Sequence, residues 1–169
     1  MDCYFMKTEE IILNNFQLKY PLERLALLSD ILFLDIETTG FLTGSSSIYL
    51  IGCAYYEDGN WKLRQWFAQT PDEESEILSA FLAFAEPYSY LIHYNGNTFD
   101  LPFLRKKADK YGISYTLSSK KGLDIFRRIT PYKNFLKLPD CKLKTIESFL
   151  GIHREDIYTG GQLIQVYHD

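Results

Sequence analysis

The stretch Ile31 to Glu37, ILFLDIE, constrains this chain more than any other. Its apolar residues are nearly unbroken and it ends in acid, as expected for a central strand buried on both faces whose carboxyl end opens into a site. Asp35 and Glu37 stand two apart, and residues i and i+2 of a strand project from the same face, so both carboxylates can point at one cation. Without a cation, two like charges among apolar flanks would force one to take up a proton. The plain alternative is a strand end whose acids lean into solvent; the following Thr38, Thr39 and Gly40 weigh against it.

The neighbouring sequence says what this strand pairs with. SIYLIGCAYY and NWKLRQWFAQ lie on either side of EDGN, where Asp58-Gly59 suits the positive φ of a tight turn, so an antiparallel hairpin is predicted beside the first strand. Pro71 and the acids Asp72, Glu73, Glu74 and Glu76 suit a helix amino end, and Ile77, Leu78, Phe81, Leu82 and Phe84 carry that helix to about Ala85. YSYLIHYNG reads as a fourth strand ended by Asn95-Gly96, and FDLPFLRKKADKYG as a helix stopped by Gly112. Helical patterns follow at about 123 to 135, at 142 to 150 before Gly151, and from Gln162 onward. Ahead of the first strand, residues 1 to 29 form a lead-in around Pro21, with IILNNF and LERLALL as short helical pieces. The expectation is an α/β domain over residues 30 to 169, a mixed sheet containing an antiparallel hairpin and flanked by helices.

Composition permits this. Of the 169 residues 46% are hydrophobic and 16% aromatic, enough for a buried core. No run approaches the roughly 18 apolar residues that span a bilayer, and MDCYFMKTEE is not signal-like, so a cytoplasmic protein without a membrane partner is expected. Cys3, Cys53 and Cys141 form no Cys-x-x-Cys pair and read as packing residues. The net charge of −4 hides an asymmetry: residues 1 to 90 carry 5 Lys+Arg against 14 Asp+Glu, and residues 91 to 169 carry 13 against 8. The basic surplus gathers at Arg105, Lys106, Lys107, Lys110, Lys120, Lys121, Arg127 and Arg128. Such a surplus can hold a phosphate backbone, or it can be a solvated helix face.

A second acidic position is Asp100 in HYNGNTFDLPFL, just after a strand and turn at the start of a helix. Alone it reads equally as a helix cap or dipole partner. Together the two segments resemble motifs I and II of the DEDD exonuclease superfamily. Asp35 to Gly40 match the pattern Asp-x-Glu-Thr-Thr-Gly in full, and Asn95, Phe99 and Asp100 match the second motif, with spacing similar to the proofreading domains of B-family DNA polymerases. GLDIFRRI and LPDCKLKTIESFLGIHREDIYTGGQLIQVY look like the bacterial YprB-like branch of ribonuclease H-like nucleases, so the resemblance covers about residues 30 to 169.

The resemblance implies a metal-dependent 3′-to-5′ exonuclease acting on single-stranded DNA or RNA with two magnesium or manganese ions about 4 Å apart. Hard oxygen ligands suit those ions independently of the resemblance. Asp35 would bridge both ions, Glu37 would hold one and orient the attacking water, and Asp100 would act on the other. Thr38, Thr39, Gly40, Phe41 and Leu42 would seat the terminal nucleotide, with Phe41 and Leu42 stacking on a base. Asn95, Arg127 and Arg128 are the further substrate contacts expected.

One part of the pattern is missing. The family's fourth aspartate follows a water-activating Tyr or His by four or five residues, and no such spacing occurs after Leu143: Asp156 is three after His153, and Asp169 two after Tyr167. The expectation is therefore a domain lacking its carboxyl-terminal end, with the third motif beyond position 169. Asp124 is the candidate for support of the site, as a cap or an indirect partner. His93 reads as a satisfied core residue, and no metal-ligand spacing links it to His153 or His168. Two rival functions share parts of this pattern: a haloacid dehalogenase-type phosphatase, which needs aspartate where Glu37 stands, and a nuclease-like binding module that has lost catalysis.

Overall fold

The computed structural model describes residues 6–14, 16–153 and 160–168. Its centre is the strand that the sequence marks, β2 (Ile31–Thr38), paired antiparallel with β3 (Ile48–Glu57) and parallel with β5 (Tyr90–His93). The hairpin partner β4 (Asn60–Phe67) follows β3 through Asp58 (φ 51°) and Gly59 (φ 79°), the two positive φ values that such a turn requires. With β1 (Lys7–Ile12) and β6 (Lys121–Asp124) at the edges, the six-stranded order is β1-β4-β3-β2-β5-β6.

Helices α1 (Glu74–Ala85) and α2 (Asp100–Tyr111) cover one face. Ile77, Leu78 and Phe81 of α1 and Phe103 and Leu104 of α2 close over Leu32, Leu34, Ile36, Ile51, Cys53 and Tyr55 in the main core. Gly112, in the left-handed region at φ 66°, ends α2 as the sequence predicts. Glu74 and Lys107 are buried between the two helices, 3.0 Å apart; Glu74 also accepts from the Ile48 amide at 2.7 Å and the Tyr111 hydroxyl at 2.6 Å, and Lys107 donates to the Ser46 carbonyl. This buried pair ties both helices to the start of β3.

Among the described residues the second face is covered only at its lower end, which corrects the expectation of a strand buried on both sides. Ile31 is buried there with Leu22, Trp61 and Ile92, whereas Phe33 is half-buried and Asp35 exposed. In place of the helical piece expected at IILNNF, Ile11 and Ile12 belong to β1, paired antiparallel along β4, because an edge strand supplies backbone partners that a short isolated helix lacks; Asn15 lies outside the described residues. LERLALL shortens to a 3₁₀ turn over Leu22–Arg24. The helix expected at 123 to 135 begins later, since Lys121–Asp124 pair in parallel with β5; it consists of α3 (Ile125–Ile129) and a 3₁₀ turn at Thr130–Tyr132. The expected helices near the end are α4 (Leu143–Phe149) and α5 (Gly160–His168). Cys53 and Cys141 are buried and free, as packing residues should be; Cys3 lies outside the described residues. Among the described residues no helix is long and apolar enough to cross a membrane.

Candidate active site

The β2–β3 register decides the first half of the site. Asp35 stands opposite Gly52 and Glu37 opposite Leu50, so both acids emerge on the uncovered face. At Gly52 the strand carries no side chain, and the next strand presents Gln65, which leaves room above Asp35. Asp35, Glu37, Gly52, Gln65, Tyr94 and Leu143 line a cleft of about 420 Å³. A glycine inside an apolar strand is the sequence signal that could have marked this opening.

Asp100 comes to the same strand end from α2. The turn after β5 places it in the first helical turn, and its Oδ1 accepts from the amide of Ile36, the residue between the two motif acids, at 3.2 Å. That bond and its own amide favour the ionised form, yet burial and the charge of Asp35, with a smaller contribution from Glu37, outweigh them and push its carboxyl up to about 6. Burial, followed by the charge of Asp35, also raises the Glu37 carboxyl. The three carboxylates thus feel one another as like charges, the condition that a divalent cation relieves. Their chemistry fits such an ion, although among the described residues no three His, Cys, Asp or Glu side chains are already arranged around one. Binding would need the carboxylates to turn toward a common point.

The loop after β2 is held by its own residues. The Thr38 hydroxyl donates to the Gly40 carbonyl at 2.8 Å, and the Thr39 hydroxyl accepts from the Ser47 amide at 2.9 Å. Gly40 packs closely under Ser46: a Cβ there would stand 2.7 Å from the Ser46 hydroxyl, which would have to rotate away. Phe41 and Leu42 remain 87% and 73% exposed, with the Phe41 ring edge-on to Phe99 at 6.0 Å. Two large apolar side chains are therefore displayed beside the carboxylates.

Asp124 acts as a cap. It is buried at the end of β6, with Oδ1 accepting from the Asn95 amide at 2.9 Å and the Arg127 amide at 3.5 Å. Asn95 itself has φ 60°, so its place in the motif has a backbone reason before any substrate contact. Arg127 and Arg128 are exposed on α3, with Arg127 Nε 3.8 Å from Asp124 Oδ2. Three members of the basic cluster are otherwise engaged: Lys107 is spent on Glu74, Lys110 donates to the Tyr111 hydroxyl and lies 3.8 Å from Glu74, and Lys120 donates to the Glu86 and Tyr88 carbonyls. His93 is only partly satisfied, which corrects the expectation; its Nδ1 accepts from the Gly96 amide at 3.2 Å while its buried Nε2 has no hydrogen-bond partner among the described residues. Asp156 and Asp169 lie outside the described residues.

Comparison with known proteins bears on the fold. A DNA polymerase from Thermococcus hydrothermalis is 30% identical over an alignment of 153 residues that takes in 73% of this chain and 9% of the polymerase. Among solved structures, the family B DNA polymerase of the archaeon Pyrobaculum calidifontis matches 82% of this chain with 21% of its own, at a TM-score of 0.62 and 16% identity. E. coli exonuclease I in complex with single-stranded DNA, in a zinc-bound form, matches 80% of this chain with 39% of its own, at a TM-score of 0.56 and 14% identity. The chain thus spans well under half of the proteins it is similar to, and the structural likenesses concern the fold. The family model of the RNase H superfamily matches residues 32–169, so the chain belongs to that superfamily.

Proposed function

We propose that this chain is a metal-dependent 3′-to-5′ exonuclease domain acting on single strands, of the YprB-like branch. The observation that carries the reading is the convergence of Asp35, Glu37 and Asp100 on one strand end, with the Asp100 carboxyl raised to about 6 by burial and its acidic neighbours. A divalent ion, magnesium or manganese, would be held by these three residues and would supply Lewis acidity toward a phosphodiester and its attacking water. Glu37, half-buried and raised in pKa, is the group suited to accept a hydrogen bond from that water. Phe41 and Leu42 offer the apolar surface on which a terminal base can stack. Single strands are favoured as substrate by that exposed pair and by the exonuclease I likeness, whose solved form holds single-stranded DNA.

A second reading, a binding module without catalysis, is favoured by one observation: the described acids are not gathered in ligand geometry. Two measurements separate them. Manganese calorimetry on the parent and Asp35→Asn should show binding that the substitution weakens; unchanged binding refutes the site. Incubation of 5′-labelled single-stranded DNA and RNA with manganese should give a ladder shortening from the 3′ end that Asp35→Ala abolishes. Strand binding without any cleavage would establish the second reading.

A further inference from the structure

A second cavity, of about 490 Å³, opens on the helix-covered side of the sheet between α2, the segment 115–122 and β5. None of the residues lining it is acidic, although Asp124 Oδ2 lies behind it 3.9 Å from His93 Nδ1; of its basic residues Lys120 is held by the Glu86 and Tyr88 carbonyls and Arg105 is exposed. One wall is apolar and partly aromatic, formed by Leu101, Pro102, Tyr115 and Leu117, while Asn97 and Ser118 add neutral polar groups. His93 lies at its base, 4% exposed. The Gly96 amide can only donate, so Nδ1 is the acceptor and, in the neutral ring, Nε2 carries the proton. Burial holds the His93 pKa below its ordinary value, which keeps the ring neutral. Nε2 lies 3.9 Å from where a Cβ on Gly122 would stand, and Gly122 also lines the cavity. A buried donor without a partner is costly, and a ligand acceptor is the missing half.

We propose that this cavity binds a phosphate monoester attached to a flat ring, the chemistry of a nucleoside monophosphate. The phosphate lies against Arg105 and the His93 Nε2–H, and the ring lies on Pro102, Tyr115 and Leu117. A volume of this size matches small-molecule sites, and the exposed Arg105 guanidinium, with no acidic residue in the lining, favours an anion. The site also reaches the carboxylate centre through the backbone. His93 accepts from Gly96, and Asp124 from Asn95, at the start of the turn that delivers Asp100.

The choice of a nucleotide among flat phosphate esters rests on the nuclease reading; the cavity and its unpartnered donor do not. The test is a titration of ¹⁵N-histidine-labelled protein in EDTA with deoxyadenosine monophosphate, a 5′-phosphorylated thymidine pentamer, or inorganic phosphate, following the His93 Nε2–H resonance. Saturable movement of that resonance by the mononucleotide is expected. Gly122→Val, which occupies the cavity on an ordinary strand position, should abolish it, and Arg105→Glu should weaken it by about tenfold or more. Tighter binding of the pentamer would assign the site to the 5′ end of a strand rather than to free nucleotide, and in either case the site stands. No shift at millimolar ligand, or a shift that Gly122→Val leaves intact, overturns the proposal. A shift no larger with nucleotide than with inorganic phosphate overturns the ring contact. Asp35→Asn should leave the titration unchanged, so failure of the carboxylate site and failure of this one are read separately.

Discussion

Replacing Asp100 by Asn should stabilise the protein while weakening its hold on metal. In the folded chain the Asp100 carboxyl stands at about 6 against an ordinary 3.8, because it is buried beside Asp35 and Glu37. A folded-state pKa above the unfolded one means that the native protein binds the extra proton between those values, so stability falls as pH rises from about 4 to about 6 and stays lower above that. Roughly two units correspond to about 3 kcal/mol, with little reduction for screening in a residue only 6% exposed. Asn has the shape of the protonated acid and keeps an oxygen for the Ile36 amide. At pH 7 the variant should therefore melt higher than the parent, by about 6 to 12 °C for a chain of this size. The gap should close toward pH 4. The assay is thermal unfolding of both proteins across pH 4 to 8 in EDTA, repeated with manganese, which should raise the melting temperature of the parent more than that of the variant. A variant no more stable than the parent at pH 7, or a difference that does not change with pH, would refute the claim that this carboxylate is held in an unfavourable state.

Lys107→Met removes the closer, buried cation from Glu74 and leaves it the exposed Lys110 at 3.8 Å, which should cost about 3 kcal/mol in urea unfolding, most of it recovered when Glu74→Gln is added. Gly96→Ala should destabilise by about 1–3 kcal/mol, since the new Cβ would stand 2.8 Å from the buried His93 ring; unchanged urea midpoints would contradict that packing. Arg127→Glu together with Arg128→Glu should weaken single-strand binding and flatten its dependence on salt, measured by fluorescence anisotropy at several salt concentrations. Equal affinity at equal salt would remove α3 from the strand path.

Local patterns in the sequence were enough for the elements whose signals are local. The apolar run into Asp35 and Glu37, the Asp58-Gly59 turn, the acidic start of α1 and the Gly112 stop of α2 each depend on periodicity, φ preference or charge near a helix end. That Asp35 and Glu37 share a face follows from the two-residue repeat of any strand. Tertiary structure decided what depends on partners distant in the chain. Ile11 and Ile12 became strand because β4 offered an unpaired edge, and Lys121 to Asp124 because β5 did. Lys107 looked like one more surface cation until α2 packed it against Glu74, and His93 looked like an ordinary core residue until the Gly96 amide took one of its nitrogens. The position of Asp100 in its helix was legible, but not its pKa: that depends on burial by the folded sheet and on carboxylates 65 and 63 positions earlier in the chain, whose repulsion exists only when the strand and helix meet.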